Sequence, residues 1–382
     1  MRMVFFGDYC VSKPRQPVLS SRLQERLRAA DVIGVNFEGP VVAMTEAPAP
    51  APAPKAGPSI AQTMQASETL KHLGCTHAAL ANNHIMDYGK AGLTQTMASL
   101  SQLGIVHFGA GENFDAAYAP YYATIGEQKI AFCSFAEAQF GVLQEANESG
   151  GGFAWMDHPK ARQSVQEASE LADLVIVQVH GGLEMAEFPL PEWRRCYREL
   201  IDLGADLIIG HHPHVAQGHE IYRGKPIVYS LGNFYMDVML AQKDTGHGLM
   251  LDVDLSDDEL KCSLIPLVVS GNEVDLDLSD HAAGRQSERD DLLKDEQAYA
   301  KAVDDICASS WETIYETYYA ASMLGLGPRL RFKSLPRWFK SLAAWLLRGR
   351  RGTASRHLLL LHNIRIETHR WVVERALAGR KH

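Results

Sequence analysis

Several things are scarce in this sequence. Its six cysteines (Cys10, Cys75, Cys133, Cys196, Cys262, Cys307) form no Cys-x-x-Cys pair and lie far apart, which excludes a zinc ribbon and reads as reduced thiols. No apolar run reaches the roughly 18–20 residues of a membrane-spanning helix. Met1 to Phe6 runs straight into Gly7-Asp8, leaving no room for the apolar region of about 7–15 residues that a signal peptide needs. The expectation is a cytoplasmic protein, with peripheral contact at the inner membrane surface as the alternative. No repeat at a fixed period is visible. Positive charge is also scarce outside one segment. From Arg329 to His382 fourteen Arg and Lys face only Glu367 and Glu374, so that segment carries +12 of a total of -9 and the remainder about -21. Such a balance disfavours the main body as a nucleic-acid binder.

What is present is enough apolar material, 46% of 382 residues, for one large domain with an appendage. The first 235 residues alternate between strand-length apolar runs and amphipathic stretches. The runs are Met3–Phe6, Val32–Val35, Ala78–Leu80, Ile130–Phe135, Leu174–Val179 and Leu207–Ile209. Helices are expected around Arg22–Ala29, Ala91–Leu103, Lys160–Leu171 and Glu192–Leu203. This is the pattern of an α/β fold, and later runs (Ile227–Ser230, Gly248–Leu255, Lys261–Val269) add hairpin strands and make the sheet mixed. Between Glu46 and Pro58 prolines alternate with alanines, which excludes helix and predicts an extended surface loop.

Polar residues of metal-ligating type cluster where the runs end. Met3–Phe6 leads into Asp8, and Val32–Val35 into Asn36-Phe37-Glu38-Gly39-Pro40. Ala78–Leu80 leads into Asn82-Asn83-His84 with Asp87 beyond, Leu174–Val179 into His180-Gly181-Gly182-Leu183-Glu184, and Leu207–Ile209 into His211-His212-Pro213-His214. Open α/β sheets build sites at the carboxyl ends of their strands. Carboxylate, amide oxygen and imidazole together suit two divalent cations about 3.5–4 Å apart. Each piece alone is common in loops; the ordered set is the signal.

These motifs, with Gly204-Ala205-Asp206, Gln217, Glu220 and Tyr229-Ser230-Leu231-Gly232-Asn233-Phe234, resemble the CapA family, associated with poly-γ-glutamate capsules and similar to calcineurin-like metallophosphoesterases. The resemblance spans residues 1–270. It implies a calcineurin-like metallophosphoesterase β-sandwich flanked by helices, here with a helical C-terminal appendage. It further implies two divalent metal ions (Mn, Mg, Fe or Zn). Asp8 and His214 would serve one, Asn83, His180 and His212 the other, and Glu38 would bridge them. His84 would be the general acid, acting on a phosphoester or on an amide or ester of an anionic polymer, with a metal-activated hydroxide as nucleophile. Asn36, Glu184, His211 and Asn233 would support the ligands or meet substrate, and Asp87 would brace the turn before the helix from Ala91. His212 is preferred over His211 because His212-Pro213-His214 reproduces the superfamily's His-x-His. Two departures stand out. The superfamily's first motif is Asp-x-His, where this chain has Asp8-Tyr9-Cys10, and Glu38 replaces an aspartate. A non-catalytic assembly factor that binds metal or polymer is therefore the competing reading.

Beyond residue 270 the sequence predicts an acidic connecting segment, residues 271–296, and a basic helical extension, residues 297–382. Within the latter, Pro336–Arg351 combines Trp338, Phe339 and Trp345 with five cationic residues. That profile suits either a helix in an anionic membrane interface or one packed on an acidic domain. A helix over His357–Ala378 would follow it. No motif supports nucleic-acid binding.

Overall fold

A computed structural model of the chain describes residues 1–14, 16–43, 50–145, 150–256, 259–324 and 353–379. Two compact units are present: Met1–Ala53 with Ser59–Asp295, and Pro54–Pro58 with Glu296–His382.

In the larger unit, alternate residues of one strand feed two different cores. Met3 and Phe5 of the strand Arg2–Cys10 join Val32, Ile176, Ile209 and Leu251 in one cluster, while Val4 and Phe6 join Ile33, Val35, Leu70 and Leu100 in another. This is what period-2 side-chain alternation does to a strand buried on both faces. The first cluster fills the space between two sheets, and the second packs the outer face of the larger sheet. That sheet has nine strands, in the order Val18–Leu19, Glu273–Leu276, Glu259–Ser270, His247–Ser256, Arg2–Cys10, Val32–Phe37, His77–Ala79 and Val106–Phe108. Asn233–Met236 pairs with the end of Arg2–Cys10. The second sheet has six: His219–Tyr222, Lys225–Val228, Leu207–His211, Leu174–His180, Gln128–Ala136 and Tyr121–Ile125. The expected α/β sandwich flanked by helices is the fold observed, with a mixed sheet on each side.

Each sheet carries a parallel block. Arg2–Cys10, Val32–Phe37, His77–Ala79 and Val106–Phe108 run parallel in the first. Gln128–Ala136, Leu174–His180, Leu207–His211 and Lys225–Val228 do so in the second. The helices Ser21–Leu27, Gly89–Gln102, Pro159–Leu171 and Pro191–Asp202 fall where the amphipathic stretches predict them. Ser20 caps the first by accepting the Leu23 N–H at 3.2 Å, and prolines open the last two, where no intrahelical donor is needed.

Residues 271–296 fold as the strand Glu273–Leu276 and the helix Asp280–Lys294 rather than as a connecting segment. Ser279 caps that helix, and the first unit runs on to Asp295. Its apolar burial is slight, Leu293 with the stem of Gln286. Polar links dock it instead. Asp290 accepts the His219 N–H at 2.8 Å, Arg289 meets Glu187 at 3.0 Å, and Arg285 reaches both Glu187 and Asp244.

In the smaller unit the helices Glu296–Ser310 and Glu316–Leu324 are joined by a π-helical turn, Trp311–Tyr315. The expected helix over His357–Ala378 is two, Thr353–Arg365 and Glu367–Ala378, because Ile366 (φ -70°, ψ 116°) is extended. The proline run has neither helix nor strand over residues 50–58, and its first residues lie outside those described. The aromatic basic stretch Pro336–Arg351 also lies outside them. No described helix is long and apolar enough to cross a membrane.

Candidate metal centre

Both parallel blocks end at the same edge of the sandwich, and their last residues are polar. Asp8 lies between Asn36 on one neighbouring strand and Asn233 on the other, and His211 is in register with His180. Close backbone approach makes this edge compact. A Cβ on Gly7 would stand 1.8 Å from the Gly232 carbonyl oxygen, and one on Gly210 1.9 Å from that of Tyr229. Only glycine fits at either position.

Asp8 is fully buried. Its Oδ1 accepts from Asn36 Nδ2 at 2.7 Å, and its Oδ2 accepts the His212 N–H at 3.2 Å and lies 3.3 Å from His214 Nδ1. The same Asn36 nitrogen is 3.0 Å from His180 Nδ1. On its far side His180 Nε2 is 3.0 Å from Asn83 Oδ1 and 3.1 Å from His212 Nδ1. Glu38 faces this group with no exposed surface, its Oε1 3.9 Å from His214 Nε2 and 4.0 Å from His84 Nε2. Neither Glu38 carboxylate oxygen has a hydrogen-bond partner among the described residues. Ligand atoms of Asp8, Glu38 and His180 all lie within 4.8 Å of one another, close enough for a shared cation.

Backbone strain aims two of the imidazoles. His212 and His214 both have positive φ, 97° and 61°, a region non-glycine residues enter at a cost of about 1–3 kcal/mol each. The rigid Pro213 between them spaces the rings. Asn233 Oδ1, 3.0 Å from His214 Nδ1, fixes the second ring, so Asn233 supports a candidate ligand. Asn82 locks the Asn83-His84 turn: its Nδ2 donates to Phe37 O at 2.9 Å, and its Oδ1 accepts the His84 N–H at 3.2 Å. Gln62 braces the next loop, donating to Gly39 O at 3.0 Å.

The electrostatics of so dense a cluster divide it. Burial pushes Glu38 up to about 8, with Asp8, Glu184 and Asp87 adding to the rise and His214 opposing it. His214 goes the other way from what burial alone would do: Glu38 and Asp8 raise it to about 10. Burial lowers His211 and His212 to about 4 each. Burial and then the neighbouring imidazoles hold His180 well below its usual range. Three neutral imidazoles thus stand beside a carboxyl that retains its proton near neutrality. Neutral imidazoles are the form in which histidine can ligate a cation.

Asp8, Glu38, Asn83, His180, His212 and His214 are therefore brought together, with Asn36 between the two halves. His84 is at the rim. Asp87 braces the turn before the helix without capping it. The helix Gly89–Gln102 begins at Tyr88 without a side-chain cap, and Asp87 Oδ2 instead meets His84 Nδ1 at 2.7 Å while accepting the Ile60 N–H at 2.7 Å. Since a carboxylate only accepts, the proton of that pair sits on Nδ1 and His84 Nε2 is left facing Glu38. Glu184 is exposed at the mouth. Cys10 is buried with its thiol pushed well above its usual range, by burial first and then Glu38, and lies outside the Asp8–Glu38–His180 group. Glu220 is structural, gripped by Arg194, Arg198 and Tyr229 at 2.6–2.7 Å. Gln178, whose Oε1 is 3.0 Å from His211 Nε2, had no place among the expected residues. Its signal was the alternation that sets residue 178 on the face of His180.

The model of the family described as bacterial capsule synthesis protein PGA_cap matches residues 9–238. The Bacillus anthracis capsule biosynthesis protein CapA is 31% identical over 217 residues, 55% of this chain and 52% of that protein. The PGA biosynthesis protein CapA of Bacillus subtilis (strain 168) is 33% identical over 221 residues, 55% of this chain and 54% of that protein. This chain thus matches about half the length of each relative. A solved structure of the Thermus thermophilus sulfate thiohydrolase SoxB is 10% identical at a TM-score of 0.43, covering 69% of this chain and 55% of that one.

Proposed function

The chain belongs to the bacterial capsule synthesis PGA_cap family, and from that premise we propose that it is a metal-dependent hydrolase of capsule or surface-polymer synthesis. It would cleave a phosphoester, or an amide or ester bond, of an anionic polymer such as poly-γ-glutamate. The observation that carries this reading is Glu38: a carboxylate with no exposed surface, both oxygens unpartnered, facing two imidazoles at about 4 Å. Ionising a buried carboxyl with no partner costs several kcal/mol unless a cation compensates the charge. The donor set fits divalent ions of borderline hardness. Asp8, Glu38, Asn83, His180, His212 and His214 would hold them.

Divalent ions, when bound, supply electrophilic assistance to the scissile group and lower the pKa of water. The chain's own residues do the rest. Asn36 links Asp8 to His180 and keeps the two halves in register. His84, its Nδ1 proton held by Asp87, presents Nε2 at the rim; as the imidazolium it would give the Nε2 proton to the leaving oxygen or nitrogen as the bond to it breaks, water adding to the other fragment. Ile60 holds Asp87 in turn.

The test is turnover of a generic phosphodiester and a γ-glutamyl peptide by the intact chain with Mn²⁺, Mg²⁺ or Zn²⁺. His84→Ala should lower kcat by about 10²–10⁴-fold, and Glu38→Gln should weaken metal uptake. Full activity after metal stripping would sink the proposal. Metal uptake without turnover of any substrate would favour the assembly-factor reading, which Asp8-Tyr9-Cys10 motivates.

A further inference from the structure

The adjacent pair His211-His212 looks like a choice, because neighbouring residues of a strand point to opposite faces. The backbone removes the choice. His211 is the last residue of the strand Leu207–His211, and it follows Leu207 and Ile209 onto the face that lines the space between the sheets. His212 then takes φ 97°, which turns its ring back toward His180. Both imidazoles therefore reach the cluster, from different levels.

The His211 ring is 1% exposed. Its Nε2 is held by Gln178 Oε1 at 3.0 Å, and with an amide oxygen as partner Nε2 carries the proton and Nδ1 the lone pair. That Nδ1 has no hydrogen-bond partner among the described residues and points at Asp8 Oδ1, 3.7 Å away. The gap is too long for a hydrogen bond. Two acceptors aimed at each other across a buried gap repel unless something positive lies between them. Ligands about 2.0–2.2 Å from one ion stand up to about 4.2 Å apart, so the separation is that of two atoms sharing a small cation. A second observation concerns the first motif. Its second ligand position holds Cys10, whose thiol is buried outside the Asp8–Glu38–His180 group.

We propose that His211 supplies the imidazole that the first motif lacks, binding through Nδ1 a divalent cation that Asp8 also holds. This rests on the metal-centre reading above and extends it: His211 and His214 flank Asp8, one at each carboxylate oxygen. Gln178 becomes the residue that fixes the His211 ring, as partners behind a ligating imidazole do.

The experiment uses Mn²⁺ and the intact chain. Its anomalous scattering in crystals should give a peak within bonding distance of both His211 Nδ1 and Asp8 Oδ1. Metal analysis at saturation should give two ions per chain, falling to one in His211→Ala and staying at two in Cys10→Ser. Affinity of the remaining ion in His211→Ala should change by less than tenfold. Peaks only elsewhere, an unchanged ion count in His211→Ala, or loss of an ion in Cys10→Ser would overturn the assignment while leaving a metal centre in place. No Mn²⁺ bound at all would overturn the metal-centre reading with it. If His211→Ala does not fold, the position of the anomalous peak in the unaltered chain decides alone.

Discussion

Ion uptake by this centre should release protons, and their number follows from the site. Glu38, pushed up to about 8, and His214, raised to about 10, both hold a proton at pH 7, whereas His211 and His212, at about 4, do not. A bound cation needs the deprotonated form of each ligand. Ionised Glu38 is the largest influence raising His214, so the two protons are linked, and between about pH 6 and 8 each pH unit should raise the apparent affinity by between about tenfold and a hundredfold if both ligate. Above about pH 8 the Glu38 contribution fades, and the slope should fall to about tenfold per unit. The sign is fixed: affinity rises with pH through the raised values, since the proton competes with the ion. Calorimetric titration of Mn²⁺ into the intact chain, in two buffers of different ionisation enthalpy, counts the protons directly. Glu38→Gln should remove one of them at pH 7, which separates the ligand from any proton lost by water. Tight binding with no proton release at pH 7 would refute the account of Glu38 and His214.

Two further predictions concern what holds the centre in place. Gly210→Ala should cost about 3 kcal/mol or more, read as a lowered thermal midpoint, since its Cβ would fall 1.9 Å from the Tyr229 carbonyl oxygen; an unchanged midpoint would show that the two strands do not approach as closely as described. Glu220→Ala should cost about 2–3 kcal/mol, a buried-pair loss discounted for the 38% exposure of the Arg198 side chain, because it strands Arg194 and Arg198. Mn²⁺ affinity should stay within a few-fold in that variant, and a loss of metal uptake in the folded protein would move Glu220 from the scaffold into the site.

What the sequence made legible, and what it hid, divide along a physical line. Strands such as Leu174–His180 announce themselves because burial on both faces demands unbroken apolar runs, and the polar residue that ends each run marks where the sandwich opens. The helix Asp280–Lys294 gives no such signal. It has hardly any apolar stripe, and its anchors reach residues 41 to 102 positions away, Asp244, His219 and Glu187. Pairing at that range leaves no local pattern, so an acidic, docked helix looks like a connector.

The same limit applied inside the centre. Asp87 was visible as a polar residue before a helix, where capping is the usual role; only the fold brings Ile60 and the His84 ring to it. His211 and His212 looked mutually exclusive because strand alternation was extended one residue too far, past the point where φ turns positive. A non-glycine residue there carries a strain cost that folding must recover from contacts. Contacts within the chain do not fully account for it, since the strained turn delivers His212 onto another imidazole and leaves His211 Nδ1 and both Glu38 oxygens unpartnered. Strain and unmet polar groups at one place are what a fold keeps when a bound cation repays both, and that links the backbone of this turn to the ions proposed for it.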